Sequence, residues 1–139
     1  MNLALTTKNN MYLSILNKII INIYSTSSIE KDGYGGETIY LELSDKKIYT
    51  VPFEDQNSEV VNIDSIKSDS TFSLWQHSFL CKGLSINAVL ESPLLPFHSL
   101  LLSNQKVIVG NTFYPTLFSW AIANYTIELI KEYDFKNLQ

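Results

Sequence analysis

The sequence predicts an α+β fold, in which an antiparallel β-sheet of hairpins packs against an N-terminal helix and a long buried C-terminal helix. Two observations lead to this prediction. Apolar residues have helical spacing near both ends of the chain, whereas the middle alternates apolar and polar residues. The order of helix, hairpins and helix also lacks the strand-helix alternation of a parallel α/β fold. The 139 residues, 45% of them hydrophobic, are predicted to form a single domain over 1–139.

The N-terminal helix is predicted over residues 9–24. Leu13, Leu16 and Ile20 follow one another at the three-to-four-residue spacing of one helix face. The β-branched run Ile19–Ile21 leaves a strand open as the alternative for the second half of this segment.

A β-hairpin is predicted after a polar loop over residues 25–36. The apolar period changes to two from Thr38, and a second strand over 48–51 follows the polar connection SDKK. The residues predicted to share the apolar face are Ile39, Leu41 and Leu43, with Tyr40 and Glu42 on the other face.

The remaining strands are shorter apolar runs. A polar stretch continues from the hairpin to Ser70. The candidate strands beyond it are 72–75, 79–86, 100–102 and 106–109, the last two joined by an SNQ turn.

A long helix is predicted over residues 112–133. Phe118, Ile122 and Tyr125 have helical spacing, and a second apolar stripe implies that the helix is largely buried. Pro115 is tolerated only in the first turn, so the helix is expected to begin at about residue 113 or 114.

Three short motifs favour structure over chemistry. The cluster DGYGGETIYLEL leads into a strand and not a helix, so we expect a turn that uses positive φ, not a phosphate loop. His77 and Cys81 are four residues apart, but no second cysteine completes a metal site, and packing explains them. The PLLP segment at 93–96 is expected to be a rigid turn. The sequence indicates no cofactor and no catalytic residue.

Composition excludes some partners and favours others. The chain has ten lysines, no arginine and a pI near 5.0, which argues against nucleic-acid binding. A single cysteine fits the reducing cytoplasm. The N-terminal segment has polar interruptions and no small-residue cleavage site, so we expect neither a signal peptide nor a membrane span.

The least ordinary feature is the distribution of charge. Between residues 28 and 70, ten acids oppose four lysines for a net charge of −6, whereas the remainder carries four acids and six lysines. A solvated acidic face explains this without function. The alternative is an electrostatic docking surface for a basic protein, with tyrosines as anchors. The residues expected to contact such a partner are Asp32, Tyr34, Glu37, Tyr40, Glu42, Asp45, Tyr49, Glu54, Asp55 and Glu59.

In its size, acidity, Lys- and Asn-rich character and GYGGETIYLELSDKKIYTVPFED region, the chain resembles the immunity proteins of bacterial contact-dependent growth inhibition systems. This resemblance implies a non-enzymatic cytoplasmic protein that neutralises a cognate toxin by covering its active site. A basic nuclease domain, such as an EndoU-like RNase, is the implied partner.

The alternative function is a small-ligand-binding domain or an enzyme. Its pocket would lie between the sheet and the C-terminal helix, lined by Trp75, Trp120 and Tyr125.

Overall fold

A computed structural model describes residues 6–7, 12–29, 35–51, 58–91 and 98–123 of the chain. These residues form two antiparallel sheets and three short α-helices, which confirms a mixed α+β fold made mostly of strands.

The first sheet, called here the hairpin sheet, contains the predicted hairpin. Its strands lie in the order β5-β4-β3-β2-β6. Their bounds are β2 Ile20–Ile29, β3 Gly35–Leu43, β4 Ile48–Thr50, β5 Val60–Val61 and β6 Ser73–Leu74. The predicted pairing of β3 with β4 is confirmed, with Leu41 opposite Tyr49. Lys46 makes the turn possible by adopting a left-handed conformation, with φ of 66°.

The second sheet, called here the buried sheet, has the order β1-β7-β8-β9-β10. Its strands are β1 Thr6–Thr7, β7 Ile86–Glu91, β8 His98–Leu102, β9 Val107–Val109 and β10 Thr112–Tyr114. The strands predicted over 100–102 and 106–109 are confirmed by β8 and β9. Every residue of these two strands is buried, so both faces of the sheet are covered at its centre.

The two sheets enclose the main core. Ile23, Ile39 and Leu41 of the hairpin sheet pack in one cluster with Leu100 and Ile108 of the buried sheet. The alternate residues of the buried sheet, among them Ala88, Leu90, Leu101, Val107 and Val109, form a second cluster with Leu117 and Trp120. These two residues belong to helix α3, Leu117–Ala123. The molecule therefore has three layers, with the buried sheet between the hairpin sheet and α3.

The predicted N-terminal helix is wrong, and the strand alternative for its second half is confirmed. Residues 13–17 form turns, and β2 begins at Ile20. Asn17 stops a helix from continuing because its φ is 65°, in the left-handed region. Tyr12 and Ile15 are nonetheless fully buried in the main core.

The predicted loop over 25–36 is wrong where the structure describes it. β2 continues to Ile29, and β3 begins at Gly35. Gly36 lies opposite Ser28, has no positive φ, and leaves open space where a Cβ would stand, so its role is that of a strand residue and not of a turn. The rest of the predicted loop, residues 30–34, lies outside the described residues.

The predicted C-terminal helix begins later than expected, and among the described residues it is confirmed only over Leu117–Ala123. Residues 112–114 pair with β9 as strand β10 after a turn in which Gly110 has φ of 57°. Helix α3 begins after Pro115 because Thr116 and Ser119 cap it reciprocally: Thr116 Oγ1 accepts from the Ser119 N–H at 3.0 Å. Phe118 is 56% exposed. Residues 124–139, with Tyr125, lie outside the described residues.

Three other segments differ in part from the prediction. The polar stretch to Ser70 contains β5 and the helix α1, Ile63–Lys67, which Asn62 caps through its side chain. Within 72–75, only Ser73–Leu74 are strand. The run 79–86 is not one strand, because α2, Ser78–Cys81, and a turn at Gly83 precede β7. The PLLP segment and Pro52 lie outside the described residues.

A short strand, single backbone groups and side chains together cover the edge of β2 that faces away from β3. β6 pairs with β2 only at Tyr24 and Ser25. Elsewhere, backbone N–H groups of Gly83 and Trp75 donate to the carbonyls of Ile20 and Ile23, each at 2.8 Å. Side chains satisfy the other groups: Ser78 Oγ accepts from the N–H of Ile23, and Thr71 Oγ1 accepts from the N–H of Ser27, both at 2.8 Å. Between Ile20 and Ser27, backbone groups along this edge are therefore bonded without a full neighbouring strand.

The three-layer arrangement predicts that two neighbouring leucines on opposite faces of β8 are both costly to truncate. Leu100→Ala and Leu101→Ala should each lower the free energy of unfolding by about 2–5 kcal/mol, because each leaves a cavity in one of the two cores. Urea denaturation measures both. Leu74→Ala, at a side chain that is 55% exposed, is the control and should cost less than about 1 kcal/mol. A near-neutral Leu101→Ala would show that α3 does not cover the sheet.

Candidate functional site

The outer face of the hairpin sheet carries two cross-strand rows of side chains. Neighbours across antiparallel strands share a face, and this face is opposite the one that packs in the main core. One row consists of Asn22, Glu42, Ile48 and Val61, and the other of Leu74, Tyr24, Tyr40 and Thr50. Tyr40 and Glu42, both predicted as contact residues, thus share one face of the sheet, as the alternation of the hairpin predicted.

We call the centre of this face the tyrosine patch, defined as Asn22, Tyr24, Tyr40, Glu42 and Phe72. All five side chains are half-buried. Glu42 Oε1 accepts hydrogen bonds from Asn22 Nδ2 at 3.0 Å and from the Tyr24 hydroxyl at 3.1 Å. The carboxylate is thereby held in one orientation on the sheet.

The Tyr24 hydroxyl is a stable donor in this arrangement. Its burial raises the pKa of Tyr24 above the ordinary value of 10.0, and the negative charge of Glu42 and the hydrogen bond to it raise the pKa further. Tyr24 therefore keeps its proton at neutral pH and continues to donate to Glu42.

The aromatic rings of the patch are also fixed. Phe72 stacks on Tyr24 with ring centroids 5.2 Å apart and an interplanar angle of 30°. The Tyr40 hydroxyl lies 3.3 Å from Thr26 Oγ1. Thr26 is diagonally across from Tyr40 on β2, on the side away from Glu42. Rings held in this way lose little conformational entropy when a partner binds, which is a property of interface anchors.

Within the described residues, no basic side chain neutralises the charge of Glu42. Among the described residues, its only partners are the neutral side chains Asn22 and Tyr24. Lys18, which lies near the turn of the same hairpin, is paired instead with Asp45, with Nζ 3.4 Å from Oδ2. A half-buried carboxylate beside aromatic rings can attract an incoming cation.

Asp45 and Tyr49, two other predicted contact residues, stabilise the hairpin turn through hydrogen bonds. The Tyr49 hydroxyl donates to Asp45 Oδ2 at 2.5 Å, and the Lys47 N–H donates to Oδ1 at 3.0 Å. Tyr49 is only 4% exposed and packs in the main core, so its ring offers almost no surface to a partner. The carboxylate of Asp45 is already occupied by these donors and by Lys18.

The other predicted contact residues are dispersed or lie outside the described residues. Glu37 is half-buried at the far end of β3 from the turn, opposite Ser27. Glu59 is exposed beside β5, and its N–H donates to Thr50 Oγ1 at 2.8 Å. The four that lie outside the described residues are Asp32, Tyr34, Glu54 and Asp55.

Sequence reasoning missed Asn22, Tyr24 and Phe72. Because this segment was predicted as a helix, Asn22 and Tyr24 were not placed on the strand face that they share with Glu42. The alternation in INIYSTSS would have put Asn22 and Tyr24 on one face of a strand. Nothing in the sequence places Phe72 against Tyr24.

Cys81 packs in the interior, whereas His77 is half-buried against aromatic rings. Cys81 is fully buried, and desolvation raises the pKa of its thiol to about 12, so it is not a thiolate nucleophile at neutral pH. The His77 ring stacks on Phe113 and meets Trp75 edge-on, with centroid distances of 5.3 and 5.0 Å. Within the described ranges, no group of three His, Cys, Asp or Glu side chains is placed to hold a metal ion.

The two tryptophans of the alternative pocket lie on opposite sides of the buried sheet. Trp75 belongs to the main core, whereas Trp120 is a residue of α3 that packs in the second cluster and donates from Nε1 to Ser99 Oγ at 2.9 Å. The exposed fraction of each tryptophan is 1% or less. The two rings therefore cannot line one pocket.

Comparison with protein-family models, curated proteins and solved structures gave no match to this chain. In the part of the chain that the structure describes, no helix has the length and apolar character needed to cross a membrane.

The Asp45 contacts predict a pH-dependent contribution to stability. Burial by itself would raise the pKa of the carboxyl, but hydrogen bonds from Tyr49, Lys47 and Lys18 together hold it below its ordinary value of 3.8. A depressed native pKa stabilises the fold above the unfolded-state value, and this stabilisation disappears as the pH falls through the native pKa.

Asp45→Asn should therefore lower the free energy of unfolding at pH 7 by on the order of 1 kcal/mol, after allowance for solvent screening. The difference from the unmodified protein should shrink as the pH is lowered below 3.8. Urea denaturation at a series of pH values measures it. Asp64→Asn, an exposed acid on α1, is the control. A difference that is independent of pH would contradict the role of the charge.

Proposed function

We propose that this protein is a non-enzymatic inhibitor that binds a basic nuclease toxin domain in the bacterial cytoplasm and covers its active site. It would act as the immunity proteins of contact-dependent growth inhibition do. The observation that carries the proposal is the tyrosine patch, in which fixed aromatic rings surround a carboxylate without a basic partner among the described residues. The resemblance of the sequence to immunity proteins adds to it.

Charge complementarity supports a basic partner. The segment from residue 28 to residue 70, which contains β3, β4, β5 and α1, has a net charge of −6 in a chain whose total is −4. An RNase holds its substrate phosphates with lysine and arginine side chains, and an acidic face would compete for these same groups. An EndoU-like RNase fits this description.

The composition of the patch supports a protein partner. Tyrosine rings bury a large area at low entropic cost, and they are enriched among residues that dominate binding energy. Leu74, beside Tyr24 in its row, is 55% exposed and extends the apolar surface towards the edge of the sheet. A face that combines rings, one apolar side chain and an oriented carboxylate has the character of a protein interface.

The test is to co-express the protein with the toxin C-terminal domain that we expect to be encoded beside it. Growth should be restored, and the purified pair should form a 1:1 complex in which RNA cleavage is blocked. A toxin that remains active with this protein in excess would overturn the proposal.

Charge reversal within the patch should weaken that complex. Glu42→Lys should slow association about tenfold at low salt and also speed dissociation, because it places a like charge within the interface. Biolayer interferometry at 50 and 300 mM salt would separate the two rates.

Asp64→Lys is the matched control, because it changes the net charge equally at an exposed site outside the patch. We expect it to slow association modestly through the long-range field and to leave the dissociation rate unchanged. Equal effects of both variants on dissociation would contradict a docking site at the tyrosine patch.

A further inference from the structure

We infer that the tyrosine patch is a receptor for one arginine side chain of the protein partner. The identity of that partner rests on the proposed function, but the chemistry of the site does not. The inference depends on three properties of the patch: the free oxygen of Glu42, the flat aromatic surface beside it and the absence of a cation in the described residues that could compete.

The first property is that, among the described residues, only one oxygen of the Glu42 carboxylate accepts hydrogen bonds and the other has no partner. Both hydrogen bonds that it accepts, from Asn22 Nδ2 and the Tyr24 hydroxyl, go to Oε1. These donors are neutral, so they orient the carboxylate and leave its full negative charge. Within the described residues, Oε2 retains its lone pairs for an incoming donor.

The second property is the aromatic surface. Tyr24 and Tyr40 are directly opposite each other on β2 and β3, and Phe72 stacks on Tyr24. The Tyr40 hydroxyl is directed towards Thr26, away from the Glu42 row. A cation that reaches Glu42 therefore arrives beside fixed rings, where its interaction with their faces adds to the carboxylate contact.

The third property distinguishes Glu42 from other acids of the chain. Asp45 is paired with Lys18 and also accepts from Tyr49 and the Lys47 N–H. Asp69 Oδ1 accepts from both the hydroxyl and the N–H of Thr71, at 2.6 and 2.8 Å. Asp45 therefore has a cationic partner, whereas Glu42 has none among the described residues. Asp69 is likewise bonded to neutral donors, but it lies at an exposed site, whereas Glu42 is half-buried beside aromatic rings.

The geometry favours a guanidinium group over an ammonium group. A guanidinium is planar, so it can lie on a tyrosine ring while one edge donates to Oε2. It is also more weakly hydrated than the lysine ammonium, which reduces the cost of removing water at a half-buried site. A divalent metal ion is not favoured, since only one carboxylate oxygen is available and the other neighbours are a neutral amide and phenols.

The experiment is an NMR titration of the ¹⁵N-labelled full chain with three small probes. N-acetyl-L-arginine amide carries the guanidinium, N-acetyl-L-lysine amide carries an ammonium, and N-acetyl-L-citrulline amide is the neutral isostere of the first. Saturable shifts at millimolar arginine probe, centred on the amides of Asn22, Tyr24, Tyr40 and Glu42, are the expected result. The lysine probe should bind more weakly, and the citrulline probe should cause no saturable shift.

Two variants make the test specific. Glu42→Gln keeps an amide oxygen that can accept from Asn22 and Tyr24, so it should fold, and it should bind the arginine probe about tenfold more weakly or not at all. Asp64→Asn removes the same charge elsewhere and should bind it as the unmodified protein does. Tyr40→Ala, which removes a ring without changing charge, should weaken binding by several-fold.

The outcomes separate this inference from the proposed function. Equal binding of arginine and citrulline probes, shifts that are unchanged in Glu42→Gln, or tighter binding of the lysine probe would each overturn the arginine site. If the arginine probe binds as expected but the co-expressed toxin is not inhibited, the site stands and the proposed function falls.

Discussion

Covering both faces of the buried sheet is the constraint on which the rest of the structure depends. The centre of this sheet is formed by the runs HSLLL and VIV, in which every residue is buried. Such strands cannot leave one face in water without exposing a row of large aliphatic side chains. The hairpin sheet covers one face and α3 covers the other. The hairpin sheet in turn has one buried face and one outer face, and the tyrosine patch lies on that outer face.

The sequence predicted the parts of the fold in which the side-chain period is unambiguous. The hairpin of β3 and β4 alternates cleanly from Thr38, and the strands β8 and β9 contain the continuous apolar runs LLL and VIV. The errors came from segments whose pattern fits two periods. Apolar residues between Asn9 and Tyr24 fit a helix by spacing, but Asn17 breaks the turn with positive φ and the isoleucines that follow it favour a strand.

The C-terminal error has a different cause. Thr112, Phe113 and Tyr114 are part of a long apolar pattern, yet they pair with β9 because Gly110 reverses the chain tightly. Local sequence does not show whether a residue that could begin a helix will instead extend a sheet that already exists, because that choice depends on an unpaired neighbouring strand edge. Tertiary pairing decided the structure of this segment.

Only part of the candidate site could be predicted from the sequence. Tyr40 and Glu42 could be placed on one face because alternation in a single strand determines it. The sequence did not show that Tyr49 lies on the opposite face from Tyr40 and Glu42. Its burial depends on the register of β4 with β3, which puts it opposite Leu41. Asn22, Tyr24 and Phe72 join the site through pairings between segments that are 18 to 48 residues apart in the chain.

The piecewise covering of β2 determines how this protein can be approached. A partner strand that sought to extend the hairpin sheet at its β2 edge by β-augmentation would need free N–H and C=O groups there, but Trp75, Gly83, Ser78 and Thr71 already bond to those of Ile20, Ile23 and Ser27. The same covering leaves few backbone groups between Ile20 and Ser27 for edge-to-edge pairing between copies of the chain. Recognition along this part of the molecule must therefore use side chains on the face of the sheet, where mutation can alter specificity without disturbing the strand ladder.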